Sequence, residues 1–131
     1  APGWDVLTAN ALFYVKEIFA PVKLQGPSTE SLGEFFERVE IIRQYNEGLV
    51  TKYIVPTNWD RRSGESKDLY DQLREMFPDK TCAPVRQCVK IFEASGRGQV
   101  IFEYAPKSTG AEDYTKLIER ICNDEKEKGN G

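Results

Sequence analysis

LVTKYIVPT, at residues 49–57, is a short and mostly apolar stretch of the kind that forms a buried strand in a parallel sheet. IFAPVKL, at residues 18–24, has the same character, and its Pro21 lies near one end, where a missing backbone donor is tolerated. Between them, apolar residues recur on one face of a helix that is predicted to run from Leu32 to about Tyr45. This order predicts a right-handed βαβ crossover, and therefore an α/β fold with a partial parallel sheet flanked by helices.

The elements on either side of these strands continue the alternation. A largely buried helix is predicted over residues 5–17, and another over residues 65–77, which Pro78 ends. TCAPVR at residues 81–86 predicts a third strand. Ligands of such sheets lie beyond the carboxyl ends of the strands, so the loops that follow the strands are the expected site.

The last third of the chain is predicted to be mainly helical. Residues 87–99 indicate a short helical turn at 89–94 followed by the flexible SGRG, and residues 100–104 indicate a strand or a buried coil. Thr109 and Glu112 have the spacing of a capping box at the start of the final helix. We expect one truncated α/β domain over residues 1–124 and a frayed polar tail at residues 125–131.

The composition excludes several classes of function. The chain has 131 residues and a net charge of −3, so any binding of nucleic acid must come from a local patch. It contains 3 cysteines and no histidine, which argues against a zinc site, a Ser-His nucleophile pair and a disulfide framework. No apolar run approaches the ~20 residues that cross a bilayer, and the first ten residues lack the features of a signal peptide. These features favour a cytoplasmic protein with no membrane partner.

Three stretches, the last of which contains two motifs, carry a resemblance to a known family. PGWDVLTANAL begins at Pro2, YIVPTNWDRR begins at Tyr53, and VKIFEASGRGQVIFEYAPKSTGAEDY begins at Val89. In this order and spacing they resemble the C-terminal half of ParA, Soj and MinD-like partition ATPases, from Pro2 to about Ile121. Lys90, Ser95 and Gln99 depart from the residues that the family usually has at these places.

The resemblance implies the C-terminal portion of a P-loop NTPase-type fold, and Pro2 and Gly3 then correspond to the end of the family's switch turn. The full-length family binds ATP and Mg²⁺ on a glycine- and lysine-rich loop. This sequence has no such loop, and backbone donors, a lysine and a metal are what phosphoryl transfer needs. We therefore expect no catalytic residue, no metal site and no ATP hydrolysis by this chain alone, and no cofactor bound to it alone.

The resemblance also implies which residues lie on the nucleoside side. In the family, the loop after the second of these strands lies against the adenine base, and a second segment lines the other side. The corresponding residues here are Pro56, Thr57, Asn58, Asp60, Pro84 and Val85. The alternative is that TNWD is only a polar turn closed by an Asx hydrogen bond, which many loops contain.

A local basic cluster is the candidate DNA-binding surface. In the family, basic residues of the corresponding loops hold nonspecific DNA, and here they are Arg61, Arg62, Lys90 and Arg97. Lysine and arginine suit phosphate contacts, which need charge rather than base readout. The alternative is an ordinary solvated surface.

The full-length family further implies a nucleoid-associated homo-oligomer whose activator is a ParB-like protein that binds centromere-like DNA. A truncated sheet would expose an edge, so self-association of this chain is expected. Three other readings stay open: a non-catalytic binding or assembly module, an ATPase whose first half is supplied by another chain, and a nucleic-acid binder that uses lysine and arginine without ATP.

Overall fold

The computed structural model describes residue 11, residues 15–25 and residues 28–130. Pro2, Gly3 and nearly all of the helix predicted over residues 5–17 lie outside the described residues. The described elements run in chain order as β1 (Glu17–Lys23), α1 (Ser28–Arg43), β2 (Val50–Thr57), α2 (Gly64–Met76), α3 (Val89–Gly96), α4 (Ile101–Tyr104) and α5 (Thr109–Asn130).

β1 and β2 pair in parallel, from Glu17 opposite Val50 to Lys23 opposite Thr57, with one shift in register after Ile18. Helix α1 connects the two strands, as the βαβ pattern of the sequence predicts. The predicted α/β class, with a parallel sheet flanked by helices, is confirmed.

The third predicted strand, at residues 81–86, does not form as a regular strand. This segment lies along β2 through two isolated bridges, Ile54 with Thr81 and Trp59 with Arg86. Cys82 N–H donates to the Ile54 carbonyl at 2.8 Å, and a regular ladder would next use the N–H of residue 84. Because Pro84 has no N–H, the ladder resumes one residue later, with Val85 N–H donating to the Pro56 carbonyl at 2.8 Å.

Two clusters of buried side chains lie on opposite sides of the sheet. The first core cluster joins β1 and β2 to α1 and α2, and it contains Ile18, Ala20, Val22, Leu24, Val39, Ile42, Leu49, Ile54 and Leu73. The second core cluster contains Tyr53, Val55, Cys82 and Val85 and is covered by Ile91 of α3 and by Tyr114, Leu117 and Ile121 of α5. The helices therefore cover both faces of the sheet, as in other α/β proteins.

The start of the last helix differs from its prediction. Ser108, rather than Thr109, caps α5, because its hydroxyl accepts a hydrogen bond from Ala111 N–H at 3.2 Å. Glu112 forms ion pairs with Arg86 and Lys116 instead of completing a capping box. Helix α5 continues through Glu125, which pairs with Lys52 of β2, so the domain boundary placed at residue 124 stays a prediction.

VIFEY at residues 100–104 was wrongly predicted as a strand or a buried coil. Ile101–Tyr104 forms the short helix α4, whose first turn is closed by Glu103 and Tyr104 N–H donating to the Val100 carbonyl at 3.1 and 3.0 Å. The segment follows Gly98, whose φ of 65° turns the chain away from the direction of α3. The apolar run therefore packs as a helical turn beside α3 rather than joining the sheet.

Candidate functional site

The candidate nucleoside side lies at the carboxyl end of β2. Leu24 N–H, directly after β1, donates to the Thr57 carbonyl at 3.0 Å, so the ends of both strands lie together. Pro56 is buried, and its carbonyl accepts the hydrogen bond from Val85. The fold thus brings Pro56 and Thr57 next to Pro84 and Val85, which are almost thirty residues later in the chain.

Asn58 and Asp60 form a tight turn after β2. Asn58 has a positive φ of 56°, which asparagine tolerates better than most residues. One carboxylate oxygen of Asp60 accepts hydrogen bonds from Arg62 N–H at 3.0 Å and from its side-chain Nε at 3.5 Å. This is the Asx hydrogen bond of the polar-turn alternative. The binding of a base edge by Asn58 and Asp60 stays a prediction.

Trp59 anchors this turn to the neighbouring segment. Its N–H donates to the Val85 carbonyl at 3.0 Å, and its carbonyl accepts from Gln87 N–H at 2.9 Å. Its indole packs edge-to-face on Tyr70 of α2, with ring centroids 5.5 Å apart. The backbone and the side chain of Trp59 together hold the turn against residues 85–87 and against α2.

Ser66 is a structural residue of this site that the sequence did not reveal. It is fully buried on α2, and its hydroxyl donates to the Leu24 carbonyl at 2.9 Å. Ser63 caps the same helix by accepting a hydrogen bond from Ser66 N–H at 3.3 Å. The start of α2 is therefore tied to the end of β1. The sequence signal was a second serine three residues after a capping serine.

Arg86 and Asp113 hold α5 against the segment at residues 81–86, which follows α2. Arg86 Nη2 and Nε donate to the two carboxylate oxygens of Asp113 at 2.9 and 3.0 Å, and Arg86 N–H donates to the same side chain at 2.9 Å. Burial alone would raise the pKa of Asp113, but these hydrogen bonds outweigh it, so the pKa of Asp113 lies below its usual range. Hydrogen bonding to Asp113 correspondingly raises the pKa of Arg86. We call this pair the Arg86–Asp113 clamp.

Two of the four predicted DNA-binding residues meet at one aromatic ring. Lys90 and Arg97, both on or next to α3, lie over the ring of Tyr104 at 5.9 and 5.5 Å from its centroid. Tyr104 OH donates to Glu93 at 2.8 Å, and Lys90 pairs with the same carboxylate at 3.2 Å. Hydrogen bonding by Tyr104 and then by Lys90 lowers the pKa of Glu93. Lys90, Glu93, Arg97 and Tyr104 form what we call the Tyr104 cluster.

Arg61 and Arg62 form the second pair of predicted DNA-binding residues. Both are exposed on the loop between β2 and α2, and the Arg62 side chain, 88% exposed, reaches Asp60. The Trp59–Gln87 hydrogen bond joins this loop to the residues just before α3. The structure therefore groups the four predicted cations as two pairs on adjacent segments. Contact with DNA stays a prediction for all four.

Cys88 lies where α3 and α5 begin. Partial burial would raise the pKa of its thiol, but hydrogen bonds from the Thr109 side chain and from the backbone of Gly110, Ile91 and Lys90 lower it. Gly110 permits this approach, since a Cβ atom there would lie 2.7 Å from Ile91 Cδ1 and 3.2 Å from Cys88 Sγ. From the sequence alone, Cys88 was interpreted as an ordinary core or surface thiol.

Within the described ranges, no group of three or more His, Cys, Asp or Glu side chains is arranged to hold a metal ion. In the same part of the chain, no helix is both long and apolar enough to cross a membrane.

Comparison with known proteins supports the family resemblance. No family model matches the chain. Over 129 residues it is 28% identical to the chromosome partitioning protein ParA of Caulobacter vibrioides, which covers 97% of this chain and 48% of that protein. It is 29% identical over 122 residues to the cell division protein PomZ of Myxococcus xanthus, covering 92% of this chain and 38% of PomZ. It is 27% identical over 123 residues to the sporulation initiation inhibitor protein Soj of Bacillus subtilis, covering 92% of this chain and 49% of Soj.

These matches confirm the predicted similarity to ParA- and Soj-type proteins across nearly the whole chain. The chain spans at most about half the length of the curated relatives it matches. It is thus consistent with a C-terminal portion of a ParA-type ATPase.

Proposed function

We propose that this chain, as a relative of ParA-type partition proteins, serves DNA segregation as the nucleoside-side and DNA-side portion of a partition ATPase. Its predicted sites are the adenine side at Pro56, Thr57, Asn58, Asp60, Pro84 and Val85, and the cationic pairs Arg61 with Arg62 and Lys90 with Arg97. The wider expectations for the full-length protein are ATP with Mg²⁺, a homo-oligomer on nonspecific DNA, a ParB-like activator and a nucleoid-associated place in the cytoplasm.

The observation that carries this proposal is the juxtaposition at the carboxyl end of β2. Pro56 and Val85 share a hydrogen bond of 2.8 Å, and the Trp59–Gln87 bond places the loop of Arg61 beside the start of α3. The predicted nucleoside-side residues and the loop of Arg61 and Arg62 therefore lie together at the carboxyl ends of the strands, next to the start of α3. This supports the proposal, because ligands of parallel sheets bind beyond those ends. A nucleotide and DNA that bind at one edge can influence each other through the two shared loops.

The same proposal assigns no ATP hydrolysis to the chain alone. Phosphoryl transfer depends on positioned backbone donors, a lysine and a metal ion around the phosphates. No glycine- and lysine-rich loop of that type occurs in the 131 residues. Asn58 and Asp60 carry polar groups that can contact a base edge, but neither supplies positive charge to a phosphate.

Calorimetric titration of Mg-ATP into the purified chain tests the nucleotide part of the proposal. We expect no saturable heat with millimolar nucleotide and no release of phosphate. Saturable binding or hydrolysis would contradict the assignment of the phosphate-binding elements to a different part of the protein.

Salt-dependent binding of fluorescent duplex DNA tests the DNA part. Arg97→Gln and Arg61→Gln should each reduce the slope of log affinity against log salt by about 0.9 for each lost phosphate contact. Arg74→Gln, at the opposite end of α2, is the matched control and should leave the slope unchanged. Equal effects of all three substitutions would mean that these cations are an ordinary solvated surface.

A second candidate function is a non-catalytic assembly module, and the free edge of β1 favours it. In the described part of the chain no strand pairs with that edge, and Phe19 of β1 is 45% exposed. Unpaired edges with apolar side chains tend to pair with another chain. Sedimentation velocity tests this candidate: association that Phe19→Lys abolishes supports it, and a monomer at high concentration contradicts it.

A further inference from the structure

A small cavity lies between α5 and the segment at residues 81–86. Its volume is about 100 Å³. Residues 82–84 form one wall, and one face of α5 forms the other, with Asp113, Lys116, Leu117 and Arg120. The cavity thus lies next to the point where Pro84 interrupts the ladder to β2. The predicted nucleotide and DNA sites use none of the four residues from α5.

The inner walls of the cavity are mainly apolar. Cys82, which is 1% exposed, contributes its sulfur, and Pro84 and Leu117 contribute carbon atoms. A cavity of about 150 Å³ with apolar walls binds benzene, whose ring has six carbon atoms. A cavity of about two thirds of that volume therefore accommodates an apolar group of about four carbon atoms.

One backbone donor at this cavity has no partner within the described residues. Cys82 N–H donates to the Ile54 carbonyl of β2 at 2.8 Å, and successive residues of an extended chain point to opposite sides. The next N–H, that of Ala83, therefore points away from β2. Ala83 is exposed and lines the cavity, and no acceptor in the described part of the chain pairs with its N–H. An acceptor atom of a ligand can take this hydrogen bond without breaking one inside the protein.

The charged groups on the near side of the cavity favour an anion. Arg86 donates to both carboxylate oxygens of Asp113, so this negative charge is already compensated. Lys116 pairs with Glu112 at 3.2 Å, but the two side chains are 62% and 55% exposed, and such a surface pair contributes little. Glu112 also pairs with Arg86, so its carboxylate keeps a partner when the ammonium group of Lys116 turns to a ligand.

Arg120 supplies a second positive charge at the far end of the cavity. Its two Nη groups donate to the carbonyls of Thr81 and Asp79 at 3.2 and 2.7 Å, and these acceptors carry no net charge. Its Nε lies 3.8 Å from the carboxylate of Asp124, which is longer than a charge-assisted hydrogen bond. The guanidinium is thus fixed in place, and part of its charge is available to the cavity.

These features together specify the class of ligand. The lining side chains are two cations and one carboxylate, so one positive charge is left for a ligand to neutralise. A dianion such as a phosphate ester would exceed that charge, and a neutral ligand would leave it uncompensated. We propose that the cavity binds a short-chain monocarboxylate. Its carboxylate accepts from Ala83 N–H and Lys116, and its alkyl group of about four carbon atoms lies against Pro84 and Leu117. This site goes beyond the proposed function and does not depend on it.

An NMR titration of isovalerate into the 131-residue chain tests the site, since isovalerate joins a four-carbon branched group to one carboxylate. We expect saturable shifts of the Ala83 amide and the Leu117 methyl signals, with a dissociation constant on the order of 1 mM. Isovaleramide has the same shape without the charge and should bind about tenfold more weakly. Acetate should also bind more weakly, because it leaves the apolar walls uncovered.

Two variants on α5 separate recognition of the carboxylate from the general charge of the helix. Lys116→Gln should weaken isovalerate binding about tenfold, and its fold should be retained because Lys116 is 62% exposed. Lys126→Gln is the matched control, since Lys126 is an exposed lysine of the same helix about 9 Å beyond Arg120. It should bind isovalerate as the unmodified chain does.

Four outcomes would overturn the carboxylate site. They are the absence of saturable shifts at Ala83 and Leu117 with tens of millimolar isovalerate, equal binding of isovaleramide, equal losses in the two lysine variants, and displacement of isovalerate by adenosine. The last would assign the cavity to the predicted nucleoside side. Isovalerate binding in a chain that does not respond to adenosine would support the site while the proposed function fails separately.

The same chemistry ends a peptide whose last residue is leucine. A tripeptide of that kind is therefore titrated beside isovalerate. Tighter binding of the tripeptide supports the site and assigns its ligand to a protein C-terminus, whereas tighter binding of isovalerate supports it and assigns the ligand to a free acid.

Discussion

The two edges of β2 are paired in different ways. On one edge β1 forms a parallel ladder of seven residue pairs with a single register shift. On the other edge the segment after α2 forms only two isolated bridges, because Pro84 interrupts the ladder. Backbone hydrogen bonds, such as that from Val85 N–H to the Pro56 carbonyl, and the second core cluster also hold the irregular edge. Charged side chains add to them: the Arg86–Asp113 clamp, and Arg120, which donates to the Thr81 and Asp79 carbonyls at 3.2 and 2.7 Å.

The difference indicates where the predicted site is stabilised. The regular edge depends on a continuous backbone ladder and on the first core cluster, whereas the irregular edge depends on an interrupted ladder, on the second core cluster and on charged contacts from α5. Pro84 and Val85 of the predicted nucleoside side lie on the irregular edge. Substitutions far from the predicted ligand are therefore expected to affect binding there through α5.

The largest expected effect comes from breaking the clamp. Asp113→Ala leaves two donors of Arg86 and one backbone N–H without their partner, and it should lower the free energy of unfolding by about 2 kcal/mol. Arg86 remains 42% exposed, so water offsets part of the loss. Urea unfolding at pH 7 measures the effect.

Glu112→Ala is the control for this substitution, since Glu112 pairs with the same Arg86 but is 55% exposed. We expect it to change the free energy of unfolding by less than about 0.5 kcal/mol. The stability contributed by Asp113 should be present above the ordinary pKa of an aspartate and be lost as the pH falls through its lowered pKa. If Asp113→Ala and Glu112→Ala lowered the free energy of unfolding by the same amount, the clamp would contribute nothing specific, and α5 would be held by packing alone.

A smaller effect is expected where α5 approaches α3. Gly110→Ala places a Cβ atom 2.7 Å from Ile91 Cδ1, so the Ile91 side chain or the start of α5 must shift, at a cost of about 1 kcal/mol in the free energy of unfolding. Gly33→Ala, in helix α1, meets no atom within 4 Å and should instead stabilise the protein by about 0.5 kcal/mol. Thermal unfolding of both variants measures the difference, and stabilisation by both would contradict the close approach.

On the regular edge, removal of an exposed ring should matter less. Phe19 packs edge-to-face on Tyr53 with centroids 5.1 Å apart, but it is 45% exposed. Phe19→Ala should lower the free energy of unfolding by about 0.5 kcal/mol, because the ring contact is lost while the ladder remains. A cost similar to that of Asp113→Ala in the same urea titration would show that both edges depend equally on side chains.

The last prediction concerns the reactivity of two thiols near the irregular edge rather than the stability of the protein. The hydrogen bonds around Cys88 lower the pKa of its thiol, whereas burial raises that of Cys82. Alkylation by iodoacetamide should therefore reach half of its maximal rate at a lower pH for Cys88 than for Cys82, since the thiolate is the nucleophile. Mass spectrometry of the labelled peptides gives both profiles, and the reverse order would contradict the described surroundings of Cys88.

The regular half of the fold was predictable from sequence. Two apolar stretches, around Val22 and around Ile54, predict β1 and β2, and the helical periodicity between them predicts α1. These three elements form together because their apolar side chains bury one another in the first core cluster. Pro78 also marked the end of α2 correctly to within two residues. These signals are visible within a single helix or strand, because apolar residues recur there with the period of that element.

The irregular half was not predictable in the same way. Pro84 was visible, but its effect on the ladder depends on which N–H faces β2, and that is a property of register. The roles of Arg86, Tyr104 and Ser66 arise from contacts with residues at least eleven positions away. The similarity to ParA-type proteins identified the candidate loops, whereas the side chains that hold those loops became visible only in three dimensions.

The most direct test of the central claim compares adenosine with Mg-ATP in ¹⁵N-resolved NMR titrations of this chain. The account predicts weak shifts confined to the backbone signals around Asn58, Asp60 and Val85, of similar size for both ligands, because the triphosphate finds no binding elements here. Much tighter binding of Mg-ATP than of adenosine, or shifts that avoid these residues, would contradict the assignment of this chain to the nucleoside side of a partition ATPase.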